Sequence, residues 1–225
     1  MTQYLAPRAA HLVAIETDAG LALRLREKIA AESAQLSHTE VVTGDVLRQN
    51  IGALVPGRFR VYGNLPYYIT SPILHHLFEF ADRIDSIHIV IQFEVAARIA
   101  ARPGRREYGY LSVACQFFSD PEIVLRIPPG AFRPAPRVTS ALVRMSLPGA
   151  RARIDSSTKI ADENRFLKFV QVCFAQKRKT LRNNLRAIAG DERIHAALNA
   201  ANLPADARAE QLSIPDFAKL FSALT

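Results

Sequence analysis

The sequence predicts an α/β fold, with strands and helices alternating around a mostly parallel sheet, followed by a small all-helical domain. Three observations carry this. Up to Leu147, apolar runs of strand length alternate with stretches of helical periodicity. After Leu147-Pro-Gly-Ala-Arg-Ala-Arg the strand pattern stops and only helical spacing remains. The chain has 225 residues, 49% apolar and 22% charged, which suits one medium domain with an appendage and excludes disordered, collagen-like and coiled-coil classes.

In chain order, His11–Ile15 is a short apolar run stopped by Glu16, and Ala19–Ala34 places Leu21, Leu25, Ile29 and Ala30 at helical spacing. Glu40–Thr43 is a second strand ending at Gly44-Asp45. Phe59–Tyr62 is a third, running into Gly63-Asn64. Ser71–Phe80 reads as a helix with Pro72 in its first turn, where the missing N–H is tolerated. Ile84–Ile91 is rich in β-branched residues, as a buried strand requires. Helices near Glu94–Ala101 and Leu111–Phe118 precede two last strands, Ile123–Ile127 and Val138–Leu147. The Leu147–Arg153 stretch reads as a linker. Glu163–Ile188, Asp191–Asn202 and Ile214–Leu224 then read as helices broken at Gly190 and Pro204. This divides the chain into residues 1–150 and 151–225.

No apolar run approaches the roughly 18 residues of a membrane helix. The longest candidate, Ile84–Phe93, holds Asp85, His88 and Gln92, so no membrane association is expected. The start, Met-Thr-Gln-Tyr-Leu, has no signal-peptide pattern, and a cytoplasmic location is expected. Cys115 and Cys173 are far apart and read as reduced core side chains. His75 and His76 are adjacent in a helix, point apart and lack spaced acidic partners, so they read as structural and no metal is expected.

Net charge is +8. Residues 1–150 hold 16 basic and 13 acidic residues, and residues 151–225 hold 13 and 8, so the smaller segment carries the larger excess. Its densest part, Gln176–Arg186, contains Lys177, Arg178, Lys179, Arg182 and Arg186 and no acid. On one continuous helix, Arg178, Arg182 and Arg186 fall on one face and Phe166, Val170, Cys173, Leu181 and Leu185 near the other. A solvated amphipathic face is the plain explanation; the density of unopposed cations favours phosphate contact. Arg102, Arg105 and Arg106 are a weaker second candidate. Phe117, Phe118 and the phenylalanines of Arg165–Phe174 read as core.

Ligands of open α/β sheets bind outside the carboxyl ends of the strands. Three successive candidate strands end in Glu16, Asp45 and Asn64. A carboxylate at the first of these strand ends suits a ribose diol, and one at the next suits an adenine amino group. Gly63-Asn64-Leu65-Pro66-Tyr67-Tyr68 is the most informative run. Pro66 restricts Leu65 to extended geometry and aims its carbonyl. An aromatic amine is a poor nucleophile because its lone pair is delocalised. Acceptors on its two hydrogens, the Asn64 amide oxygen and the Leu65 carbonyl, would favour sp3 nitrogen while Tyr67 stacks on the ring.

Asn64-Leu-Pro-Tyr-Tyr68, placed after Glu16 and Gly44-Asp45, resembles the S-adenosylmethionine-dependent ribosomal RNA adenine dimethyltransferases. The bacterial small-subunit (16S) branch, the kasugamycin-sensitivity methyltransferases, is the one it resembles most. Gln92–Arg98, Tyr108-Gly-Tyr-Leu-Ser-Val113, Phe132-Arg-Pro-Ala-Pro-Arg-Val-Thr-Ser-Ala141, Lys177–Leu185 and Arg208-Ala-Glu-Gln-Leu-Ser213 are similar to further family segments. The resemblance implies a Rossmann-like S-adenosylmethionine-dependent methyltransferase sheet and an rRNA-binding helical C-terminal domain. It implies Glu16 at the cofactor ribose, Asp45 with Val46 at the cofactor adenine, Asn64 through Tyr67 at the target amine with Asn64 also facing cofactor, and Phe132 against the flipped base. It implies 16S rRNA in the small subunit or its precursor as partner, and a monomer.

The family's first strand and its Gly-x-Gly-x-Gly cofactor loop have no counterpart here; Thr2–Ala10 is similar to the helix after that loop. Since that strand is central in the fold, its absence would leave two backbone edges unpaired. A downstream-assigned start is the favoured explanation, and weak cofactor binding by the 225-residue chain is expected. Two other functions stay open: a non-catalytic ribosome-assembly factor that binds rRNA without cofactor, and a large-subunit rRNA adenine methyltransferase of the antibiotic-resistance type.

Overall fold

The computed structural model describes residues 1–32, 38–154, 160 and 162–225. The expected helix at Ala19–Ala34 is observed as Ala19–Ala31, and its last two positions lie outside the described residues. The chain forms two compact units: Met1–Phe59 with Ser71–Arg83, and Arg60–Thr70 with Ile84–Thr225.

The first unit contains α1 (Thr2–Leu5), β1 (Leu12–Glu16), α2 (Ala19–Ala31), β2 (Thr39–Thr43), α3 (Ile51–Leu54) and most of α4 (Thr70–Phe78). Asp18 caps α2 by accepting from Leu21 N at 2.9 Å. β1 and β2 pair in parallel, with Glu16 opposite Thr43. Arg83 fastens α3 and the stretch after it, donating to the carbonyls of Gly57 (2.9 Å), Gly52 (2.5 Å) and Val55. His76 of α4 is structural as expected: a ring nitrogen lies 2.9 Å from the Gln49 carbonyl, and the ring packs edge-on to Phe80.

The second unit carries a four-stranded sheet in the order β3 (Phe59–Asn64), β4 (Ile84–Gln92), β6 (Ser140–Ser146), β5 (Asp120–Ile127). The strands thus form two sheets, and β6 runs antiparallel to both neighbours. This corrects the expected mostly parallel sheet. A parallel pair needs a crossover, usually a helix, and the Pro128–Thr139 connection supplies only one turn of 3-10 helix. Ile87, Ile89 and Ile91 of β4 and Ala141, Val143 and Met145 of β6 are fully buried. They share one sheet face by alternation. Against this sheet pack α5 (Phe93–Ile99) and α6 (Tyr110–Phe118).

The Leu147–Arg153 stretch is a packed turn rather than a plain linker. Gly149 N donates to Phe118 O at 2.9 Å, and a Cβ on Gly149 would lie 2.2 Å from Ser119 N. Beyond it come α7 (Glu163–Cys173), α8 (Leu181–Leu185), α9 (Asp191–Ala200) and α10 (Ile214–Leu224). The single helix expected over Glu163–Ile188 is two helices separated by a turn. Thr180 caps the second, because its hydroxyl competes for the backbone and favours an N-cap over a helix interior. Aromatic contacts run from α6 into the helical layer: Phe117 to Phe166 at 5.0 Å, Phe166 to Phe221 at 5.6 Å and Phe174 to Phe217 at 5.7 Å. Phe117, Phe118, Phe166 and Phe169 are buried as expected, and Phe174 is half-buried. Cys115 and Cys173 are free and fully buried, and burial pushes both thiols far up. No described helix is long and apolar enough to cross a membrane.

Candidate active site and nucleic-acid interface

In the first unit, parallel pairing brings Glu16 and Asp45 to neighbouring strand ends. Gly44 N donates to Glu16 O at 2.9 Å, which continues the ladder to the residue before Asp45. The two carboxylates are oriented alike. Glu16 Oε1 accepts from Asp18 N at 3.0 Å, and Asp45 Oδ1 accepts from Leu47 N at 3.0 Å, each two residues along. Asp45 thereby caps the short 3-10 helix that Val46 begins. Both acids are half-buried, so their remaining acceptor capacity faces a partly shielded edge. Such acceptors fit the adenosine half of S-adenosylmethionine, whose ribose hydroxyls and exocyclic amine are donors.

In the second unit, Asn64 closes β3 with an exposed side chain. Leu65 donates from its backbone N to Val90 O at 3.1 Å. Gly63 lets the Leu65 side chain lie close over the strand end, since a Cβ there would meet Leu65 Cδ2 at 2.9 Å. Pro66 is extended (φ −58°, ψ 132°) and its carbonyl accepts from Ile69 N at 3.2 Å and the Thr70 hydroxyl at 3.3 Å. Asn64 through Tyr67 thus sit on a turn tied to both β4 and the start of α4. Tyr67 is half-buried and its hydroxyl lies 2.7 Å from Ser140 Oγ. Tyr68 is 86% exposed and makes no such link. Phe132 is half-buried at the end of the turn preceding β6. Among the described residues no group of His, Cys, Asp or Glu is arranged to hold a metal.

The basic run differs from the single face that helical spacing predicts. Lys177, Arg178 and Lys179 lie on the exposed turn between α7 and α8, and only Arg182 is on α8, with Arg186 as its C-cap. Arg178 therefore does not share a helical face with the other two arginines. Phe166, Val170, Cys173, Leu181 and Leu185 are all fully buried, as expected. The buried Asn184 amide shapes the turn: it accepts from Gln176 N at 3.2 Å and donates to Cys173 O at 2.6 Å and Gln176 O at 3.3 Å. Nor is the run unopposed. Asp191, at the start of α9, is held by Arg186 through two 3.0 Å contacts and by Arg182 at 3.2 Å. The Arg186 and Arg182 hydrogen bonds hold the Asp191 carboxyl far below the usual range, and Asp191 in turn raises Arg186.

Sequence reasoning missed Ser140, Asn184 and Asp191 as functional neighbours. Ser140 and Asn184 lie inside motifs already quoted, so their positions were visible but their partners were not. Asp191 follows the run by five residues and belongs to the next helix.

The family model "Ribosomal RNA adenine dimethylase" matches residues 1–225. The chain is 44% identical over 227 residues to "Ribosomal RNA small subunit methyltransferase A" of Acidobacterium capsulatum, covering all of this chain and 77% of the relative. It is 38% identical to the protein of the same name from Koribacter versatilis, covering all of this chain and 80% of the relative. Among solved structures, the 23S rRNA methyltransferase ErmE matches with TM-score 0.70 at 27% identity over 99% of this chain and 85% of that one. A Plasmodium falciparum dimethyladenosine transferase matches in fold with TM-score 0.76 at 22% identity, over 97% and 83%. The α/β architecture is accordingly Rossmann-like, and the chain belongs to the ribosomal RNA adenine dimethylase family.

Proposed function

We propose that the chain dimethylates, from S-adenosylmethionine, the exocyclic amines of two adjacent adenosines near the end of 16S rRNA during ribosome biogenesis. The observation that carries this reading is the full-length family match together with small-subunit relatives at 34–44% identity. In this reading the protein works in the cytoplasm as a monomer on the small subunit or its precursor. Residues 1–150 carry the methyl-transfer machinery and residues 151–225 carry rRNA contacts.

S-adenosylmethionine, when bound, supplies an electrophilic methyl group on a sulfonium. Glu16 accepts from the ribose hydroxyls, Asp45 with Val46 holds the adenine, and Asn64 serves both cofactor and target. A stacked adenine cannot present its amine, so it is flipped out at a cost of a few kcal/mol. Stacking on Tyr67 and Phe132 offsets this, each aromatic contributing about 1–3 kcal/mol. The Asn64 amide oxygen and the Leu65 carbonyl accept the two amine hydrogens, which localises the nitrogen lone pair and orients it for in-line attack. No strong base is required, because the proton leaves to water after methyl transfer. Lys177, Arg178, Lys179, Arg182 and Arg186 contribute phosphate contacts that position the RNA without reading sequence.

Single-turnover methylation of undermethylated 30S particles, with mono- and dimethyladenine counted separately, tests the proposal. Dimethyladenine formation supports it. Subunit binding with no methylation of either particle would make the protein an assembly factor, and methylation of 50S but not 30S particles would make it a large-subunit enzyme.

A further inference from the structure

We infer that the arginine loop at Arg102–Arg106 and the basic turn at Gln176–Lys179 form one phosphate-binding surface for rRNA, joined by Lys177. This rests on the proposed rRNA function and extends it to a loop outside the basic run. Three tethers fix the arginine loop against the helical layer, and the first joins it directly to the basic turn. Lys177 Nζ donates to Arg106 O at 2.7 Å. Gly104, with φ +80°, donates from its N to Glu210 O at 2.7 Å and so fastens the loop tip. Tyr108, which ends the loop, is buried, donates its hydroxyl to Leu212 O at 2.9 Å, and packs against Phe174 (6.1 Å between ring centroids) where the basic turn begins.

The loop is also ordered from within. Arg105 N donates to Arg102 O at 3.2 Å and Tyr108 N to Arg105 O at 3.1 Å. Asn184 orders the turn on the other side. Arg102, Arg105, Arg106, Lys177, Arg178 and Lys179 are all exposed. The two segments hold six cations and no acid, and Glu107 and Glu210 lie beside the arginine loop. A lysine ammonium has three N–H donors, and one on the Arg106 carbonyl leaves two for phosphate. Lys177 is therefore both a contact and a positioning residue. A patch of this charge on ordered backbone fits the phosphates of a structured RNA.

The test measures binding of undermethylated 30S particles and of a mixed-sequence RNA hairpin across a salt series. For Arg105→Ala/Arg106→Ala, the slope of log K against log salt should become shallower by roughly 1–2, at about 0.9 per lost duplex phosphate contact, with the methylated adenines unchanged. Lys177→Met should weaken binding more in the wild-type background than in the Arg105→Ala/Arg106→Ala background, and Lys177→Arg, which can still donate to Arg106 O, should restore it. Thermal melts by circular dichroism separate misfolding from these effects, and the exposed arginine pair gives a reading that does not depend on the Lys177 variants. An unchanged slope for the arginine pair, with Arg178→Ala/Arg182→Ala still shallower, would overturn the joined surface alone. Unchanged slopes for both would overturn the assigned rRNA role of the basic run as well.

Discussion

The hydroxyls of Tyr67 and Ser140 lie 2.7 Å apart, and Ser140 is fully buried. The contact joins the turn after β3 to the first residue of β6 across 73 positions of sequence. It holds Tyr67 by its polar end, and in the proposed function the ring does the stacking. Tyr67→Phe should therefore keep RNA affinity and most of the turnover while leaving a buried hydroxyl without this partner, which costs about 1–3 kcal/mol of stability. Tyr67→Ala should lower turnover and RNA affinity together. Urea unfolding alongside single-turnover methylation separates the two effects. Equal losses of activity in Phe and Ala variants would mean that the hydroxyl, not the ring, matters.

Asn64 ends its strand exposed, on a turn whose backbone is held by Val90 and Ile69. Asn64→Ala should leave that turn in place, cut methyl transfer by orders of magnitude, and lower S-adenosylmethionine affinity by much less than it lowers turnover. Near-normal rates for both methyl transfers would remove Asn64 from the amine pocket. Glu16→Ala should do the opposite, weakening S-adenosylmethionine binding in a calorimetric titration.

Gly149 abuts backbone rather than flexible side chain. An added Cβ would stand 2.2 Å from Ser119 N, 2.6 Å from Ser119 O and 2.7 Å from Gln116 O. Gly149→Ala should destabilise by about 1–3 kcal/mol or more, as overpacking does when neighbours cannot yield. The denaturation midpoint reports it, and an unchanged midpoint would show that the C-terminal end of α6 shifts freely.

Asp191 occupies the fork that Arg182 and Arg186 would present to a phosphate. Asp191→Asn should release both arginines, tighten RNA binding and steepen its salt dependence. Because the arginines hold its carboxyl below the usual range, any stability from this cluster is fully present above the ordinary aspartate range. It fades only as pH falls below that range. Weaker RNA binding by Asp191→Asn in filter-binding titrations would mean that the aspartate orders the arginines rather than masks them.

Local sequence determined most of the elements and the chemistry of the strand ends. Periodicity placed β1 to β6 and α2, α4, α5 and α6 within a few residues, because it records which positions face a core, while the four-residue helices α1 and α3 are too short to show it. Glu16, Asp45 and Asn64 were legible because a polar residue ending an apolar run marks a strand terminus. Tertiary structure decided the rest. The insertion of β6 between β4 and β5, antiparallel to both, depends on pairing between strands far apart in the chain, which no local period records. The break between α7 and α8 depends on Asn184 satisfying Cys173 and Gln176, so a stretch with unbroken helical spacing became two helices and a basic turn. The partners of Tyr67, Arg186 and Lys177, namely Ser140, Asp191 and Arg106, were set the same way. A side chain's periodicity says which way it faces, and only the folded chain brings its hydrogen-bond partner within reach.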